Sequence, residues 1–285
     1  MRLLLYTILL FLVPLPGCRA TRVSSADQKV LESFWKYAGK HQLATLPVNE
    51  RVPLIARFFL GTPYESNTLN VHREELPVIN LRALDCVTFV ENVLALAFLE
   101  QYNRQATDAF VRNIVRLRYR NGEITDYSSR LHYSTDWLHE MQKAEWVTDL
   151  TQFAGGVVYD KQVSFMSDHR NKYPQLAQDN ALLEKIKHIE DTINGRTYYY
   201  IPKEKVNEAC PRIKNGDVIL ITTTIKGLDT SHLGFAWKKD GKTFLIHASS
   251  NGKKVMVTET PLQEYMADIA SQSGIMIARA ARIRP

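Results

Sequence analysis

An α+β fold is what the order of patterns along this chain predicts: helical periodicity first, then strands joined by tight turns from Asp217 onward. Two stretches carry that reading. The segment Leu84 to Gln101 sets Val87, Phe89, Val90, Val93, Leu94, Leu96, Ala97, Phe98 and Leu99 on nearly every face of a helix, so it belongs at the centre of a domain. Strand-like runs follow at Asp217 to Thr223, Leu233 to Lys238, Thr243 to Ala248, Lys254 to Glu259 and Ile275 to Ile283. Asp240-Gly241 and Asn251-Gly252 lie between neighbours as hairpin signals.

The remaining elements fall in around these. Met1-Arg2 and the apolar run Leu3 to Leu15 form a basic start and a hydrophobic stretch too short to span a bilayer, so residues 1–20 read as a signal peptide and the protein as exported to the envelope. Two processing patterns are present: Leu15-Pro16-Gly17-Cys18 resembles a lipobox that would lipidate Cys18, and Cys18-Arg19-Ala20 offers a site for soluble release. Helical spacing appears over Val30 to Tyr37, with Ser25 or Asp27 as cap, over Leu54 to Leu60, and over Thr107 to Tyr119 with Asn121-Gly122 ending it. The middle, Glu123 to Tyr199, is aromatic and weakly periodic and reads as loops with short helices. Thr260-Pro261-Leu262-Gln263 predicts a short helix with Thr260 as N-cap and Gln263 closing a capping box.

With 285 residues, 45% hydrophobic and 23% charged, the chain can bury a substantial core and does not have the composition of a disordered one. Its +6 charge comes from 36 Lys and Arg against 30 Asp and Glu, spread without a basic run or nucleic-acid motif. Nucleic acid is therefore not the expected partner, while a basic surface favours substrates bearing carboxylates.

Of the three cysteines, Cys18 belongs to the leader, and Cys210, before Pro211, reads as a structural or exposed thiol. Cys86 immediately precedes the buried helix, where unpaired N–H groups and the helix dipole favour a thiolate below the ordinary thiol value of about 8.5. A two-residue turn at Asp240-Gly241 would set His232 opposite Ser249 and Gly234 opposite His247, placing both histidines on one sheet face about 7 Å apart at their β-carbons. Gly234 and Ala236 share that face, and their small size would admit the Cys86 helix. A helix-start thiol with two imidazoles meets the requirement for nucleophile, base and orienting group. A Cys86–Cys210 disulfide is the alternative use of the thiols, and the absence of CxxC or HxxxH spacing argues against metal; no cofactor is called for.

Asp85-Cys86-Val87-Thr88-Phe89-Val90, Ser231-His232-Leu233-Gly234-Phe235 and Leu245-Ile246-His247-Ala248-Ser249-Ser250 resemble the cysteine and histidine motifs of the NlpC-type papain-like cysteine hydrolases. The chain departs from the usual Ser-Gly after Asp-Cys, carrying Val87-Thr88. Its segments Ser129 to Trp137 and Phe165 to Arg170 are instead similar to a branch of N-acetylmuramoyl-L-alanine amidases. The resemblance implies a papain-like domain over 21–285 with a helical and loop insertion at about 105–200. It also implies Cys86 as nucleophile, His232 as base and His247 as its orienting partner. Asp85, Arg130, His132, Tyr133, Asp136, Trp137 and Ser231 become substrate-binding candidates: Arg130 to clamp a carboxylate, Tyr133 or Trp137 to stack on a sugar, Asp136 and His132 to bond hydroxyls. Asp168 and His169 are rim candidates. The implied reaction is cleavage of the amide between N-acetylmuramic acid and L-alanine in peptidoglycan fragments. A stem-peptide endopeptidase, a papain-like acyltransferase and a catalytically idle wall-binding lipoprotein are the rival expectations.

Overall fold

The computed structural model describes residues 23–70 and 74–281. The expected signal peptide, residues 1–20 with Cys18, lies outside the described residues. In chain order the helices are α1 (Ser25–Lys40), α2 (Val48–Phe58), α3 (Cys86–Ala97), α4 (Thr107–Arg118), α5 (Ser134–Lys143), α6 (Phe165–Asp168), α7 (Asn180–Asn194), α8 (Val206–Ala209) and α9 (Leu262–Ala267). The strands are β1 (Val147–Asp149), β2 (Val157–Val158), β3 (Tyr199–Pro202), β4 (Val218–Thr223), β5 (Thr230–Lys239), β6 (Lys242–Ser249), β7 (Lys254–Val257) and β8 (Gln272–Ala280). They form one antiparallel sheet in the order β2-β3-β8-β4-β5-β6-β7, with β1 also on β8. The α+β expectation agrees with this architecture.

The sheet is covered on both faces, which is why β4 is apolar at successive positions rather than alternating. One face, carrying Val218, Leu220, Leu233, Phe235, Ile246 and Met276, packs under α3; Phe89 meets Phe235 edge to face at 5.5 Å. The other, with Ile219, Ile221, Ala236, Leu245, Ile275 and Ile277, is closed by Leu262 and Met266 of α9 and Val206 and Ala209 of α8. A third cluster, including Tyr127, Tyr133, Met166, Leu176, Leu182 and Ile186, is the core of the central segment. That segment holds the 15-residue helix α7, longer than the short helices expected there. Its buried positions, Leu182, Leu183, Ile186, Glu190 and Ile193, recur at helical spacing behind an Asp179 N-cap, a local signal set within a segment that is otherwise aromatic and irregular.

Asp240 (φ 51°) and Gly241 (φ 75°) form the expected two-residue turn, and the register runs Lys239–Lys242, Ala236–Leu245, Phe235–Ile246. The role given to Gly234 and Ala236 needs correction. They face away from α3, and Leu233 and Phe235 receive it instead. Glycine at 234 answers a different demand: a β-carbon there would stand 2.5 Å from the Ile246 carbonyl oxygen and 3.0 Å from the His247 β-carbon. Caps differ as well. Ser24, not Ser25 or Asp27, caps α1, and α9 starts after Pro261 with no side-chain cap, because Gln263 accepts from the Asn207 N–H at 2.7 Å.

Two buried charges fix the surroundings of Cys86. Asp27, in the first turn of α1, accepts from the Leu81 N–H (2.9 Å) and from Arg82 Nε (3.1 Å), holding the strand of chain that leads into α3. Glu91 of α3 pairs with Arg118 of α4 at 2.7 Å, both buried, and Arg118 also donates to the Val78 carbonyl at 2.7 Å.

Gly234→Ala should destabilise the protein by about 1–3 kcal/mol through this overpacking. The check is the thermal midpoint; an unshifted midpoint would contradict the contact.

Candidate active site

Cys86 is the first residue of α3, and its backbone is set by a reciprocal cap. The Asp85 carboxylate accepts from the Thr88 N–H (2.8 Å), and Thr88 Oγ1 accepts from the Asp85 N–H (2.9 Å). Asp85 thus serves as helix cap, with Thr88 as the box partner that a glutamate usually supplies. The chain ahead is held by Tyr64, bridged in parallel to Leu84.

His232 lies on β5 and His247 on β6. They share a face as the turn requires, and His232 Nε2 is 2.6 Å from His247 Nδ1. The rings meet edge to face with centroids 4.8 Å apart. Tyr265 of α9 packs its ring against His247 at 5.4 Å. The Leu233 N–H, next in chain to His232, turns to the Cys86 sulfur, as do the N–H groups of Cys86 and Val87. The Tyr64 and Tyr265 hydroxyls both lie close enough to feel charge on that sulfur. Cys86 and Cys210 are both free thiols. Among the described residues no group of three or more His, Cys, Asp or Glu is placed to hold a metal ion.

The electrostatics overturn the expectation of a resting thiolate. Burial, reinforced by the Asp85 carboxylate, pushes the Cys86 thiol up to about 12 despite the three N–H groups. Burial and then the neighbouring His247 pull His232 down to about 3, and burial pulls His247 to about 4. Thiol and imidazoles are therefore all neutral near pH 7. Desolvation outweighs the helix terminus here, since the N–H groups lower the thiol by less than burial raises it.

The other sequence candidates sit elsewhere than expected. Arg130 does clamp a carboxylate, but it is the chain's own: Glu75, at 2.7 Å and 2.9 Å from Nη2. Asp136 is 1% exposed and bonded to Arg120 and Arg196, leaving no oxygen for a sugar hydroxyl. Tyr133 is buried, donating to Glu190 at 2.7 Å, and Trp137 is buried in the α3 core. His132 gives a ring N–H to the Tyr127 carbonyl (2.8 Å), and burial, then Arg130, pull it to about 3. Asp168 and His169 bond within their own turn, to Ser164 and the Phe165 carbonyl. Of the seven, Ser231 is exposed beside His232. The segment is a scaffold, and its joint to the site is one the sequence did not suggest. Buried Asp229 accepts from the Thr135 N–H (2.7 Å) and hydroxyl (2.9 Å), and Thr230 bonds Ser134, fastening α5 to the start of the His232 strand. Tyr64, Tyr265 and Asp229 carried no motif; only long-range folding brings them in.

Residues 54–275 match the AmiA-like family, described as N-acetylmuramoyl-L-alanine amidase-like. The chain belongs to that family. An N-acetylmuramoyl-L-alanine amidase from Bacteroides uniformis is similar over 82% of this chain and 99% of its own, at 36% identity and a TM-score of 0.79. A putative xylanase from Bacteroides fragilis shares 36% identity over 79% of this chain and 99% of its own, with a TM-score of 0.75. A Legionella pneumophila protein of the family DUF1460 covers 92% of this chain and 98% of its own at 24% identity and a TM-score of 0.67, a likeness of fold. No curated protein matches the chain.

The imidazoles of His247, which is buried, and of the half-buried His132 and His232 make stability depend on pH with a definite sign. His132, His232 and His247 have folded pKa values below the ordinary 6.5, so below that pH the unfolded chain binds more protons than the folded one. Their contribution is present above 6.5 and is lost as pH falls toward 3 to 4. The melting temperature should decline from about pH 6.5 downward. A flat profile from about pH 7 to 4.5 would contradict the burial.

Proposed function

We propose that this chain hydrolyses the amide joining the lactyl group of N-acetylmuramic acid to L-alanine in peptidoglycan fragments, using Cys86, His232 and His247. The observation that carries the reading is the 2.6 Å contact between His247 and His232, the latter on the strand whose Leu233 N–H faces the Cys86 sulfur. Membership of the amidase-like family supports the bond. A helix-start cysteine followed in sequence by two histidines on an antiparallel sheet also fits a papain-like plan of the NlpC type. The leader-like residues 1–20 fit export to the compartment where peptidoglycan lies, with a lipid anchor at Cys18 as one form of it.

The chemistry starts from neutral groups. His232 Nε2 faces His247, which leaves Nδ1 for the thiol. That assignment requires His232 to donate its Nε2 hydrogen to His247 Nδ1, so His247 fixes the tautomer. As the sulfur attacks the lactyl carbonyl, its proton passes to His232 Nδ1. Backbone N–H groups at the start of α3 are placed to stabilise the oxyanion, with the Tyr64 and Tyr265 hydroxyls nearby. The imidazolium then protonates the alanine nitrogen, the C–N bond breaks and a thioester remains. Water gives a proton to His232 and its oxygen to the acyl carbon, releasing the carboxylate and the thiol.

Mass spectrometry of muropeptides treated with the protein tests the bond: intact peptide plus free muramyl sugar is expected, whereas cleavage inside the stem would overturn the amidase reading in favour of an endopeptidase. Cys86→Ala should abolish turnover with an unchanged melting temperature. His232→Ala should lower kcat/KM by at least ~10²-fold. His247→Asn, which can still accept the His232 hydrogen, should retain a measurable rate above that of His232→Ala. A His232→Ala variant with near-native turnover would remove the site assignment.

A further inference from the structure

Val87 stands directly after the cysteine, and it is unlike the residues around it. It is 41% exposed, one of the few large apolar side chains at the surface, on a helix whose next residues are buried. Thr88 is 2% exposed and committed to the cap, so Val87 alone presents a first-turn side chain outward from the Cys86 end of α3. A helical Cα–Cβ bond tilts toward the N-terminus, which aims Val87 back over the end where the sulfur lies. Its own N–H turns to that sulfur, and its branched side chain is held in essentially one rotamer.

The side of the substrate that meets this wall follows from the proton's path. His232 must stand on the leaving-nitrogen side to protonate it, so the acyl substituents extend toward the helix. The acyl carbon becomes bonded to sulfur, and whatever its α-carbon carries is then within two bonds of the reacting atom. We propose that Val87 is a specificity-determining residue that contacts an α-methyl group on the acyl carbon chain, selecting 2-alkoxypropanoyl amides over alkoxyacetyl amides. This rests on the amidase reading and names the acyl class it accepts.

The experiment compares kcat/KM for two synthetic amides of L-alanyl peptide, one with a muramyl-type 2-alkoxypropanoyl group and one with the alkoxyacetyl group lacking the methyl. The native protein should prefer the methylated substrate by roughly 5- to 10-fold, the lower end for one methyl against a partly open apolar wall. Val87→Ala should bring the ratio toward one. Val87→Thr, which keeps the shape and replaces a methyl by a hydroxyl, should lower it as well. A ratio equally large in Val87→Ala, or a ratio of one in the native protein, overturns the role of Val87 while leaving the amidase reading in place. Cleavage of neither substrate overturns the amidase reading itself, and the inference with it.

Discussion

The cysteine and the histidines belong to opposite faces of the same sheet. Helix α3 lies on the face of Leu233 and Phe235, while Gly234 and Ala236, which alternate with them, look to the α9 side together with the His247 ring that Tyr265 covers. A thiol carried by a helix on one face can meet such a pair only where the helix ends beside the strand, and Cys86 is the first residue of its helix. Much of the surrounding construction serves that placement. The Asp85–Thr88 cap fixes where α3 begins, Phe89 against Phe235 sets how it lies on the sheet, and Gly234 leaves space for the His247 β-carbon.

Burial governs the charge in this site. A thiol near 12 and imidazoles near 3 and 4 form no standing ion pair. Three sets of ion pairs are spent internally. Arg130 on Glu75, Asp136 between Arg120 and Arg196, and Glu91 on Arg118 each bind one part of the chain to another. Polarity at the cysteine comes from the Asp85 carboxylate together with backbone N–H groups and phenols.

What could be read beforehand was whatever depended on local order. The Asp240-Gly241 turn has one natural geometry, and from it the shared face of His232 and His247 followed by alternation alone. The run around Val93 and Leu94 could only be central. The direction in which α3 approaches could not be read, because either face of a strand buried on both sides is apolar enough to receive it. Nor could the duties of Arg130, Tyr133 and Asp136: their partners Glu75, Glu190 and Arg196 stand 55, 57 and 60 residues away, and a charged or phenolic side chain has the same sequence signature whether it faces ligand or protein. The thiol's state was misjudged for a related reason, since a helix start is visible in sequence and the depth of burial is not.

The first helix carries a meaning that its position conceals. It lies ahead of the family-matching region, which begins at residue 54, and it would pass for a spacer in front of the domain. Yet Asp27 takes the Leu81 N–H and the Arg82 guanidinium, five and four residues before the cysteine. The first described helix therefore touches the approach to Cys86. Trimming to the family boundary would remove the Asp27 carboxylate that holds the chain leading into α3, and any pull on the residues ahead of Ser24 would be felt at that hold.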